Sequence, residues 1–138
     1  MDRSAQPPPC GGAVGRWERV RILHAAAECQ GFASTGGLGD VVGALPGQQV
    51  AEGHEACVVL PAYGFLGALR RQAEVVEELT LAGGRSLRLL RAQGTAAGAP
   101  VYLCELEGAF DDGTDPYRDG AGEELPGLVL RYARFSEA

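Results

Sequence analysis

Apolar residues run almost unbroken through Val20-Arg21-Ile22-Leu23-His24-Ala25-Ala26-Ala27, the pattern of a strand in a parallel sheet covered on both faces. Leu38, Val41, Val42 and Leu45 then recur at helical spacing and predict a helix with one apolar stripe. Pro46 removes a backbone donor, so a kink or restart is expected there, with Gly53 closing the helix. A second buried strand follows over Glu55–Leu60 and ends at Pro61. Strand, helix and strand make a β-α-β unit whose right-handed crossover sets the two strands parallel. Further on, Glu74–Thr80 and Arg85–Arg91 alternate around Gly83-Gly84, which predicts a hairpin with a primed turn. Gly98-Ala99-Pro100 turns into a short buried strand, Val101–Cys104. Leu128, Val129, Tyr132 and Phe135 give a last helix one apolar face, which needs a sheet to cover it. Residues 1–19, with Pro7-Pro8-Pro9 and Gly11-Gly12, read as a disordered lead or linker before a folded part at 20–138.

The first strand meets the first helix through Ser34-Thr35-Gly36-Gly37-Leu38-Gly39-Asp40. Glycine admits positive φ and lets a bulky group approach the backbone, while free N–H groups at a helix start attract anions or hydroxyls. Phosphate or sugar is the natural ligand, and the alternative reading is a tight strand-to-helix connection packed against the sheet. A P-loop is excluded, because it needs Gly-Lys-Ser/Thr and all twelve basic residues here are arginine. A nicotinamide-binding oxidoreductase is disfavoured, since the second strand ends Val59-Leu60-Pro61-Ala62-Tyr63 without the acid that binds ribose.

Composition narrows the partners. At 138 residues with 46% hydrophobic and 22% charged, the chain is long enough for one small core. A pI near 4.9 argues against nucleic acid. Residues 105–124 hold eight acids and one arginine, more negative charge than the chain's net of -6; the run reads first as a solvated loop and second as a sugar-binding rim. Tyr117 within it could stack on a sugar face or anchor the loop. Cys10, Cys29, Cys57 and Cys104 show no C-x-x-C pairing and fit a reduced compartment. No run reaches the roughly 18 apolar residues of a membrane span, and no Ser-His-Asp or metal-ligand spacing stands out. His24 reads as a core or edge histidine and His54 as a loop residue.

Glu28, Phe32, Thr35 to Pro46, Gly53-His54 and Val59 to Tyr63 resemble the opening of bacterial glycogen synthases and plant starch synthases, glycosyltransferase family 5. Asp115-Pro116-Tyr117-Arg118-Asp119 through Gly122, Pro126 and Arg131-Tyr132-Ala133-Arg134-Phe135-Ser136 is similar to that family's Pro-Tyr-x-Asp loop and following helix. The resemblance implies an α/β fold, a Rossmann-like parallel sheet forming part of the N-terminal domain of a GT-B type glycosyltransferase. It implies a retaining transfer of glucose from ADP-glucose or UDP-glucose to an α-1,4-glucan, with no cofactor and no metal. The implied donor contacts are Ser34, Gly36, Gly37, Leu38, Gly39, Asp40 and Glu28, with Tyr117 as a possible sugar contact. Ser34 stands where the family has lysine, and Gly31 replaces a usual proline. No catalytic residue can be assigned, because the family's histidine, arginine, lysine and glutamate lie in a following strand and a C-terminal half. The chain is therefore expected to be inactive alone, in the cytoplasm of a bacterium or alternatively in a plastid. The alternative function is a non-catalytic remnant that binds glucan or a partner. Outside the resemblance, Asp40 reads first as an acid facing the helix dipole, and Glu28 equally as a ligand contact or a solvated loop residue.

Overall fold

A computed structural model describes residues 18–138, so residues 1–17 of the expected lead lie outside the described residues. Five strands, β1 (Arg21–Ala25), β2 (Glu55–Pro61), β3 (Glu74–Thr80), β4 (Ser86–Ala96) and β5 (Ala99–Leu106), form one sheet in the order β1-β2-β5-β4-β3. β1, β2 and β5 are parallel, and β4 and β3 continue the sheet antiparallel. Three helices, α1 (Gly37–Ala51), α2 (Gly67–Gln72) and α3 (Leu128–Glu137), complete the elements, with one 3₁₀ turn at Gly64–Leu66. The expected β-α-β unit is present as β1-α1-β2. No helix among the described residues is long and apolar enough to cross a membrane.

Alternation along the strands sets two cores. Val58, Leu60, Leu90, Val101 and Leu103 are buried on one face with Val42 of α1. On the other face Leu87, Cys104 and Leu106 pack with Tyr63 and Phe110, under Tyr132 and Phe135 of α3. Val129 was expected on that buried face but is 85% exposed; only Tyr132 and Phe135 of the helix reach the cluster.

Helix α1 packs differently from its pattern. Leu38, Val41 and Leu45 point outward, and the buried residues are Gly39, Val42, Pro46 and Gly47. Gly39, Gly43 and Gly47 lie four apart and form a ridge with no side chains, which lets the helix approach its neighbours at backbone distance. A Cβ on Gly47 would lie 2.2 Å from the carbonyl oxygen of Ala97, and one on Gly43 would lie 2.7 Å from Cβ of Gln30. Pro46 neither ends nor restarts the helix, which continues to Ala51. Gly53 does close it: with φ +94° it sends its N–H to Val50 O, and His54 N–H reaches back to Gln49 O, both at 3.0 Å.

Two further expectations change. β1 is an edge strand rather than one covered on both faces; Leu23 is 63% exposed because no described element packs over it. The β3–β4 hairpin is present, but its turn is not primed. Gly84 N–H bonds Leu81 O across Ala82-Gly83, and of these central residues only Gly83 has positive φ, whereas a primed turn needs it at the first. The primed geometry lies instead between β4 and β5, where Ala97 (φ +50°) and Gly98 (φ +103°) close the Ala96–Ala99 pair.

Gly47→Ala should destabilise the chain by about 1–3 kcal/mol in urea unfolding, because the obstruction is a main-chain oxygen that cannot rotate away. Ala97→Gly should act in the opposite sense, by about 0.5–1 kcal/mol, as it removes a left-handed alanine.

Candidate functional site

Beyond β1 the chain folds back through a Cys29–Ala33 bridge, and this brings Glu28 under the glycine turn. Glu28 is 4% exposed, so it is not a solvated loop residue. Its Oε2 accepts the N–H of Thr35 at 2.7 Å and of Gly36 at 3.0 Å. Its Oε1 accepts the hydroxyls of Thr35 at 3.0 Å and Tyr117 at 2.7 Å. Burial alone would raise this carboxyl, but the Thr35 amide, the Tyr117 and Thr35 hydroxyls and the Gly36 amide together hold it below its ordinary value of 4.5.

The helix start is thus divided. Gly36 N–H belongs to Glu28, and Gly39 N–H to Gly36 O at 3.1 Å. Gly37 and Leu38 N–H find no acceptor among the described residues. A Cβ added at Gly36 or Gly37 would meet nothing within 4 Å, so the turn is open to solvent there. Gly39 is buried, and a Cβ on it would lie 2.2 Å from Ser34 Oγ and 3.3 Å from Glu28 Oε2. Ser34 and Asp40 are exposed beside the turn, with Asp40 in the first turn of α1 where an acid suits the dipole.

Tyr117 comes from far along the chain and is set by its own loop. Asp115 Oδ1 accepts the N–H of Tyr117 and Arg118, both at 2.8 Å. Pro116 is buried and its carbonyl accepts the Tyr132 hydroxyl at 3.0 Å. Tyr132 in turn lies 2.7 Å from the hydroxyl of Tyr63, which donates to Ala27 O at 2.8 Å. Tyr117 also borders a hollow of about 490 Å³ shared with Arg118, Glu123, Glu124 and Leu128. Most other acids of the 105–124 run are engaged internally: Glu105 with Arg70 and Arg88, Asp111 with Arg70, Asp112 with Arg131, and Asp119 with the amides of Ala121 and Glu123.

Glu28, the glycine turn and Tyr117 are therefore brought together. The sequence reading passed over Thr35, Tyr63 and Tyr132, although all three stand inside the two family-like blocks. A larger hollow, about 630 Å³ and lined by Leu23, His54, Cys57 and Pro100, opens at the other end of the parallel strands and holds none of the candidate residues. Among the described residues no cluster of His, Cys, Asp or Glu could hold a metal ion.

Comparison with known proteins identifies the family. The model of the starch synthase catalytic domain matches residues 21–138. This chain belongs to the glycogen and starch synthase family of glycosyltransferases. It is 36% identical over 125 residues to a glycogen synthase of Aromatoleum aromaticum, covering 90% of this chain and 25% of the relative. It is 37% identical to a glycogen synthase of Ralstonia nicotianae, covering 86% of this chain and 22% of the relative. Among solved structures it is similar to the catalytic domain of starch synthase IV from Arabidopsis thaliana bound to ADP and acarbose. The TM-score is 0.65 at 25% identity, over 86% of this chain and 24% of that one. The chain thus spans about a quarter of the length of these family members. The sheet agrees with a portion of a GT-B catalytic domain, its parallel part extended by the antiparallel β4 and β3.

The lowered carboxyl of Glu28 fixes a pH dependence. A depressed folded value means that its contribution to stability is complete above its ordinary value of 4.5 and is lost as pH falls through the lower folded value. Urea midpoints followed from neutral to acid pH should show this loss in the wild type and a flatter acid limb in Glu28→Gln.

Proposed function

We propose that this chain forms the donor-facing part of the N-terminal domain of a retaining glucosyltransferase, which moves glucose from ADP-glucose or UDP-glucose to an α-1,4-glucan. The observation that carries the reading is the pair of unpartnered amides at Gly37 and Leu38, open to solvent and held beside Tyr117 by Glu28. Two N–H groups at a helix start suit a phosphate oxygen. An aromatic with hydroxyl-accepting carboxylates, as around Tyr117, suits a sugar. The Arabidopsis neighbour was solved with ADP and with acarbose, which supports both halves of this reading.

Chemistry limits what these residues do by themselves. Departure of a nucleoside diphosphate builds negative charge on the leaving oxygens, which a retaining transfer has to offset with cations. Ser34 brings none, and among the described residues no arginine hydrogen-bonds to the turn. Binding without transfer is the expected behaviour of this chain, and the missing catalytic groups would come from a second half. A second reading has support from the hollow lined by Tyr117, Glu123 and Glu124, whose residues suit a neutral glucan without any donor.

Titration calorimetry with ADP-glucose, UDP-glucose and a maltooligosaccharide separates the two. Ser34→Lys should tighten sugar-nucleotide binding about five- to tenfold by restoring a charge-assisted contact, and leave the neutral oligosaccharide unchanged. Oligosaccharide binding with no response to either nucleotide, in wild type or Ser34→Lys, would favour the glucan-binding reading. Incorporation of labelled glucose into glycogen by this chain would overturn its expected inactivity.

A further inference from the structure

The Glu28 carboxylate divides its oxygens between the glycine turn that follows it closely and Tyr117, which lies 89 residues further along the chain. Oε2 serves the main chain of the glycine turn through Thr35 and Gly36, while Oε1 serves the hydroxyls of Thr35 and Tyr117. A carboxylate has about four lone-pair sites, and here four donors fill them. Buried and saturated, Glu28 has no capacity left for an incoming ligand. Behind Tyr117, the carbonyl of Pro116 is tied to Tyr132 of α3, and Tyr132 meets Tyr63 at the end of β2. The Tyr117 loop is therefore fixed to the sheet and helix on one side and to the glycine turn on the other.

We propose that Glu28 is a positioning residue that locks the glycine turn and the Tyr117 loop into one platform, so that the geometry of either segment depends on the other. Its consequence for a sugar nucleotide rests on the donor-facing reading given above. The reason for the coupling is that Gly36 and Gly37 carry no side chains to pack, so the turn takes its shape from whatever its amides bond to. Tyr117 donates to the same carboxylate as those amides. Loss of that donor leaves Oε1 under-satisfied in a buried place and frees the carboxylate to shift.

The test is amide hydrogen exchange on the full chain at neutral pH, comparing wild type with Tyr117→Phe, which removes one hydroxyl and keeps the ring. Thr35 and Gly36 amides should exchange about tenfold faster, while those of Val58 and Leu103 in the central strands stay unchanged. A purely local role for Tyr117 would alter exchange only within its own loop, and that result overturns the proposal. Fluorotyrosine labelling supplies the reverse reading: Glu28→Gln should move the fluorine resonance of Tyr117, and an unmoved resonance counts against the lock. If Tyr117→Phe unfolds, as faster exchange at Val58 and Leu103 would reveal, Thr35→Val replaces it. A shift of the Tyr117 resonance in that variant supports the proposal, and none overturns it. Neither readout needs a ligand. Adding ADP-glucose to the wild type then examines the donor reading separately: a response at Gly37 and Leu38 with a concerted Tyr117 shift supports both ideas, a response at the turn without one overturns the lock, and no response overturns the donor contact while exchange still decides the lock.

Discussion

One buried carboxylate organises the region that the family match makes interesting. An ionised acid removed from water costs several kcal/mol unless donors replace the water it loses. Glu28 finds four, and they come from both segments that border the candidate site. The glycine turn cannot hold itself, because residues that give a backbone its freedom also give it nothing to pack with. Its shape is imposed from below by an acid that the turn wraps, and from the side by a phenol that the same acid recruits.

The placement of α1 follows a second constraint of the same kind. Gly39, Gly43 and Gly47 make a smooth ridge, and each is crowded: by Ser34, Gln30 and Ala97 respectively. Close approach of the helix to the β4–β5 turn fixes where its first amides point. Thus a contact at Gly47, near the far end of the helix, and an unusual left-handed Ala97 on the opposing hairpin both bear on a site at the helix start. Large side chains could not have achieved this, since every one of them would hold the helix further from the sheet.

The same facts explain what the sequence made legible. Strand positions, the β-α-β unit, the hairpin and the closing Gly53 all follow from local chemistry that acts over a few residues. The orientation of α1 was misread because an apolar stripe marks a buried face only when something exists to bury it; here glycines do the packing and Leu38, Val41 and Leu45 remain outside. The turn after β3 lies where expected but is of another type, since paired glycines signal a primed turn without requiring one, whereas Ala97-Gly98 carries the primed geometry with only one glycine. At the site, Glu28, the turn and Tyr117 were each visible as single residues. Their meeting was not, since a bond between residues 28 and 117 leaves no local pattern.

Electrostatics gives the arrangement its direction. A buried negative charge beneath a helix start works against an anion arriving from above, and it also removes the Gly36 amide from those that could greet one. The resemblance implies a lysine at the position of Ser34, where a cation would lie beside that carboxylate. With serine there, Gly37 and Leu38 present two neutral dipoles over an acid that hydrogen bonds satisfy but no cation pairs. On the donor-facing reading proposed above, such a turn would keep its shape while lacking a cation to meet a diphosphate. On that reading shape and affinity would be set by different residues, Glu28 supporting the turn through its hydrogen bonds and position 34 supplying or withholding charge.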